Sequence, residues 1–175
     1  MKKLLLAAAT VVVLASPAFA QSVPEKTGIN STLGIAPKTE DFVTQVAISD
    51  MFEIESSKLA QTKANGASKT FADHMVMDHT KTSTELKSMV SGGKVAVTIP
   101  AALDSAHQGK LDKLKSLNGA EFTKQYNSDQ VAAHKDAVNL FERYAKGGDN
   151  ADLKAWAGKT VPALQAHLKM AQDLK

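Results

Sequence analysis

Residues 71–90 read FADHMVMDHTKTSTELKSMV, and their spacing decides the fold. Phe71, Met75, Asp78, Thr82, Leu86 and Met89 recur at three- and four-residue intervals, the repeat that gathers side chains onto one stripe of an α-helix. The helix is expected from about Ala67 to Val90, where Ser91-Gly92-Gly93 stops it. Its first half, FADHMVMDHT, also carries two histidines, two aspartates and two methionines. That density raises the question of whether the helix carries a site.

The same repeat extends in both directions. Upstream, Thr39-Glu40-Asp41 suits a helix start, where side-chain oxygens and negative charge satisfy free amides. Phe42, Val46, Glu53, Ser57 and Ala60 then share a stripe, and Asn65-Gly66 ends that helix. Downstream, KVAVTIP at 94–100 has β-like residues but no second strand to pair with, so an extended crossover is expected. Pro100 can open a shorter helix with Leu103, His107, Leu111 and Leu114 facing inward, broken at Asn118-Gly119. A third long helix, about Ala120 to Lys146, carries Phe122, Tyr126, Ala133, Ala137, Leu140, Phe141 and Tyr144. The fourth, about Asn150 to Leu174, carries Leu153, Trp156, Ala157, Leu164, His167, Leu168 and Ala171. Pro162 inside it should kink the helix or leave a carbonyl unpaired. The expected fold is all-α: a ferritin-like four-helix bundle with an extra short helix in the crossover connection.

Composition narrows the setting. Residues 1–20 have a lysine-bearing start (Lys2, Lys3), an apolar run from Leu4 to Leu14, and Ala18-Phe19-Ala20, a small-x-small cleavage site. They read as a signal peptide, residues 21–39 as a flexible leader rich in proline and glycine, and 40–175 as the bundle domain. Removing Lys2 and Lys3 lowers the formal charge from +3 to +1, and arginine occurs only at Arg143. With its lysines scattered, the chain has no nucleic-acid surface to offer. No later segment approaches the ~20 apolar residues of a spanning helix, so no stable membrane insertion is expected. Cysteine is absent, which excludes both a disulfide framework and a lipid-bearing cysteine after the cleavage site. The expected location is periplasmic or secreted.

Polar residues on the apolar faces supply the candidate site. Glu53 lies within the stripe of the first long helix, and Asp78 and His79 flank that of the second. His134 borders the Tyr126/Ala137/Phe141 face, and His167 sits among Trp156, Leu164 and Ala171. Each long helix thus offers the interior an acid or an imidazole, and an ionised group there must be paired or coordinated. In one account Glu53, His79, His134 and His167 converge on one transition-metal ion, with Asp78 as a further or outer ligand. Iron, manganese, zinc or copper would suit these donors. In the other the same residues close a metal-free hydrogen-bonded network in a helical module that binds envelope partners or is purely structural. A di-iron centre is disfavoured, because Val76, Val131 and Leu164 stand where Glu-x-x-His pairs would need glutamate. Met75, with His74 and Met77 nearby, could attract copper, but methionine more often fills core space. No nucleophile elbow, phosphate loop or dinucleotide fingerprint names a reaction.

The motif order FVTQVAISDMFEIESSKLA, FADHMVMDHTKTSTELK, LNGAEFTKQYNSDQVAAHKDAVNLFERYA and LKAWAGKTVPALQAHLKMA resembles a bacterial family of secreted proteins (domain of unknown function 4142), described as ferritin-like and often labelled outer-membrane proteins. The resemblance spans roughly Asp41 to Leu174. The family's recurrent polar positions match Glu53, Asp78 with His79, Tyr126, His134, Pro162 and His167. It implies a ferritin-like bundle and no known activity.

Overall fold

The computed structural model describes residues 22–174, so the expected signal peptide lies outside the described residues. Seven helices and no strand occur among them. Two short ones, α1 (Val23–Lys26) and α2 (Ile29–Leu33), precede the long α3 (Thr39–Lys63) and α4 (Gly66–Ser91). The 12-residue α5 (Ser105–Ser116) separates this pair from α6 (Gly119–Gly147) and α7 (Ala151–Asp173). The long helices match the sequence expectation closely because glycine-bearing turns bound them. Gly66, at φ +55°, lets α4 begin with only two residues between it and the end of α3, a conformation that costs a side-chain-bearing residue energy. Pro162 sits within a continuous α7, where its missing N–H leaves the Gly158 carbonyl without the usual helical donor.

Cross-helix contacts set the directions. Ser57 Oγ lies 2.9 Å from the Tyr126 hydroxyl, and Lys63 Nζ donates to the Leu117 carbonyl at 2.8 Å, so α3 runs antiparallel to α6. Ser68 on Asn127 and the His79 ring beside His134 make α4 parallel to α6. Trp156 Nε1 donates to Glu85 at 2.7 Å while Asp78 meets His167 at 2.9 Å, so α7 runs against α4. The helices therefore run up, down, down, up. That order requires one crossover along the bundle, the connectivity of ferritin-like folds. Residues 92–118 make it: Val95 is buried in the apolar cluster at one end, and Leu111 and Leu114 of α5 in the cluster at the other. α5 begins at Ser105, not at Pro100. The Asp104 side chain accepts from His107 N at 2.8 Å and supplies the cap that proline cannot.

Two apolar clusters fill the bundle. One gathers Phe42, Val46, Leu86, Leu140, Phe141, Tyr144 and Leu153, with Phe42 stacked on Tyr144 at 3.9 Å between ring centres. The other gathers Phe52, Phe71, Met75, Leu114, Phe122 and Tyr126. Each such side chain contributes about 1.5–3 kcal/mol by leaving water. No helix among the described residues is long and apolar enough to cross a membrane.

The segment expected as a leader carries α1 and α2 and rests on the bundle through charge. Glu25 and Arg143, 8% and 7% exposed, pair at 2.7 Å. Asn30 and Gln45 donate to the same carboxylate, and Arg143 also reaches the Ile35 carbonyl at 2.7 Å. Burial pushes the Glu25 carboxyl up, but Arg143 and the two amides outweigh it and hold the group below its ordinary 4.5. An Arg143→Met variant, leaving a buried carboxylate without its cation, is expected to lose about 2–4 kcal/mol in urea unfolding at pH 7. A carboxyl held low stabilises the fold above its unfolded value and stops doing so as pH falls through the folded one. The difference between variant and wild type should therefore close below pH 4.5. A constant difference down to pH 3 would show that the arginine acts by packing alone.

Candidate metal centre

Between the two apolar clusters lies a polar layer. α3 contributes Asp50 and Glu53, α4 His79, α6 Gln130 and His134, and α7 His167, all buried. They share a level because helix repeats put them on inward stripes, Asp50 and Glu53 three apart and Gln130 and His134 four apart.

Each imidazole is held at one nitrogen and bare at the other. Asp50 Oδ1 accepts from His79 Nδ1 at 2.8 Å, while Asp50 Oδ2 takes Thr82 Oγ1 at 2.9 Å and Ser83 Oγ at 3.2 Å. His134 Nδ1 lies 2.9 Å from the Gln130 backbone carbonyl. A carbonyl can only accept, so Nδ1 carries the hydrogen and Nε2 holds the lone pair. His167 Nε2 meets Asp78 Oδ2 at 2.9 Å, which leaves Nδ1 for the interior. The three remaining nitrogens, His79 Nε2, His134 Nε2 and His167 Nδ1, are buried without a hydrogen-bond partner. The three histidines can present ligand atoms within 4.8 Å of one another, and their ring centres lie 5.5 to 5.8 Å apart.

Electrostatics divides the three. Burial, then the charge of His79, pushes His134 down to about 4; burial, His79 and His134 do the same to His167 against the pull of Asp78. Both are neutral at physiological pH. Burial also opposes the charge on His79, but the bond and charge of Asp50, with Glu53 and Asp78, outweigh it and raise the group. The metal-free layer thus holds two lone pairs ready and one imidazole inclined to keep a proton.

Glu53, 1% exposed, has no hydrogen bond to either carboxylate oxygen. Burial raises its pKa, against the opposing pull of His79, Gln130 and His167. It lies in the layer but is not among the groups that meet within 4.8 Å. The Gln130 side-chain oxygen is likewise unpartnered. Asp78 orients His167 from a position 38% exposed, and Tyr126 bonds Ser57 rather than joining the imidazoles. Met75 fills the second apolar cluster, whereas His74 and Met77 lie on the surface. His107 pairs with Asp104 and packs edge-on to Phe52. Asp50 and Gln130 were missed by the sequence reading. The series Val46, Asp50, Glu53, Ser57 and the series Tyr126, Gln130, His134 each carried the signal.

Fold and layer together define an all-helical bundle with three buried histidines facing one another. The chain belongs to the family DUF4142, a domain of unknown function, whose model matches residues 24–174. No curated protein matches the sequence. Among solved structures, CopM in the Cu(II)-bound form is similar in fold, with a TM-score of 0.66 over 79% of this chain and 96% of that one. The identity is 15%, so the likeness is one of architecture.

Proposed function

We propose that the protein is an exported metal-binding bundle that holds a single transition-metal ion, copper before others, on His79 Nε2, His134 Nε2 and His167 Nδ1. One observation carries the reading: three buried nitrogens without partners face one another while the opposite nitrogen of each ring is anchored. Anchoring of that kind fixes tautomer and orientation in metal sites. A partnerless buried imidazole otherwise costs about 1–3 kcal/mol, and one ion shared by the three would supply each with a partner. Bound to a tetrahedral ion at ~2.1 Å, such nitrogens lie roughly 3.4 Å apart, so the rings need only draw together modestly. Imidazole donors suit copper, zinc, iron and nickel, and copper(II) binds nitrogen sites most tightly of the divalent series. The Cu(II) held by CopM on a similar fold supports the same choice. Glu53 supplies negative charge beside the cation. Export rests on the composition of residues 1–20, and it makes metal handling in the cell envelope the natural role.

The test is thermal unfolding of tag-free, chelator-stripped protein with Cu(II), Zn(II) or Mn(II). Copper at a hundredfold excess over Kd adds about 2.7 kcal/mol to stability, a rise of roughly 5–10 °C for a domain of this size. One ion per chain should bind, with proton release, because the His79 proton must leave. Affinity therefore falls as pH is lowered through the histidine range. No shift with any of the metals, at neutral pH and above, would overturn the reading in favour of a closed polar network.

A further inference from the structure

We propose that the metal reaches the three imidazoles along the seam between α4 and α7, landing first on a surface set formed by His74, Asp78 and Met170. The proposal rests on the binding reading above. Of the three groups that anchor the imidazoles, Asp50 is 4% exposed and Gln130 is fully buried, whereas the Asp78 side chain is 38% exposed. Asp78 thus touches solvent with part of its carboxylate and His167 Nε2 with the rest, while His167 Nδ1 faces the interior. The route from water to the site passes this pair.

Register places further donors beside it. The Glu85–Trp156 and Asp78–His167 contacts fix α4 antiparallel to α7 along one seam. One turn further, His74 lies four residues before Asp78 on the same side of α4, and Met170 lies three residues after His167 on α7. Antiparallel register sets these two opposite each other. His74 is exposed, and Met170 is a large apolar side chain 37% exposed. Thioether, imidazole and carboxylate together accept copper in either oxidation state. Being exposed and loosely held, they form a transient stop and not a store. Transfer inward then carries the ion past this pair to His167 Nδ1, while Nε2 keeps its bond to Asp78.

A group on the path but outside the final site changes the rates of entry and exit by the same factor and leaves Kd unaltered. The experiment is stopped-flow quenching of Trp156, the single tryptophan, by Cu(II), with release followed by chelator competition. His74→Ala combined with Met170→Leu is expected to slow both uptake and release by about tenfold, the scale at which local capture acts on association, with Kd unchanged. Met77→Leu is the control: equally a methionine and 60% exposed, it lies about 100° round α4 from Asp78 and should leave both rates as in wild type. Wild-type rates in the double variant, or equal slowing by Met77→Leu, would overturn the route. Faster release with a weakened Kd would overturn it too, by making these residues ligands. A wild-type protein that takes up no copper overturns the binding reading together with the route, whereas normal wild-type uptake with unaltered variants overturns the route alone.

Discussion

A His134→Leu variant is expected to bind copper at least ~100-fold more weakly than wild type, beyond the 10–100-fold cost of losing an orienting partner, and to be more stable without metal. The two effects share a cause. His134 is 1% exposed, and its Nε2 has no partner in the metal-free fold. Leucine of similar size removes that unsatisfied nitrogen and should add about 1–3 kcal/mol in denaturant unfolding of the stripped protein. Acid sensitivity should fall as well. His134 titrates near 4 in the fold and 6.5 when unfolded, so between those values the unfolded chain takes up a proton that the fold refuses. Stability must then decline as pH drops from 6.5 to 4, by at most about 3 kcal/mol for this group. His167 behaves alike, so the variant should keep roughly half of the decline. Copper binding retained within threefold by His134→Leu would remove His134 from the site.

Replacing Asp50 by asparagine tests the support beneath the site. Asp50 holds His79 at 2.8 Å and is itself held by Thr82 and Ser83. The buried pair loses its anion, and removing one partner of such a pair costs about 3–5 kcal/mol. Copper affinity should fall 10–100-fold as His79 loses its orientation. The sign with pH is opposite to that of His134. A histidine raised by its partner stabilises the fold fully below 6.5 and ceases to do so as pH rises through the raised value. The stability gap between Asp50→Asn and wild type, from urea unfolding across pH 6 to 10, should therefore narrow toward alkaline pH. A gap that widens instead would mean that Asp50 serves the helix pair through Thr82 and Ser83 and not through His79.

The long helices were legible because each carries a three-four repeat, and α3, α4 and α6 stop at glycine-bearing turns. The start of α5 was less so: Pro100 and Asp104 both suit a helix entrance, and only the bond from His107 N to Asp104 decides between them. That each long helix turns an acid or imidazole inward was readable from Glu53, His79, His134 and His167. Which nitrogen of each ring faces the others was not, since it depends on Asp50, the Gln130 carbonyl and Asp78, two of which lie across a helix interface. Asp50 lies on the same stripe as Glu53, but nothing local marks it as the partner of an imidazole on the next helix. The Glu25–Arg143 pair spans 118 residues and leaves no local signature.

The polar layer between the two apolar clusters also bears on how the helices find their alignment. An apolar bundle tolerates sliding, since a leucine shifted by one turn meets another apolar side chain. Here a one-turn slip of α4, α6 or α7 would carry an imidazole from the layer into Phe42 and Leu140 on one side or Phe71 and Phe122 on the other. For α4 and α7 the anchors across the interface, Asp50 for His79 and Asp78 for His167, would be left behind. Buried polar residues fix strand alignment in coiled coils in this way, at some expense of stability. The histidines therefore act as a vernier: before any ion arrives, they make one longitudinal setting of the four helices better than its neighbours.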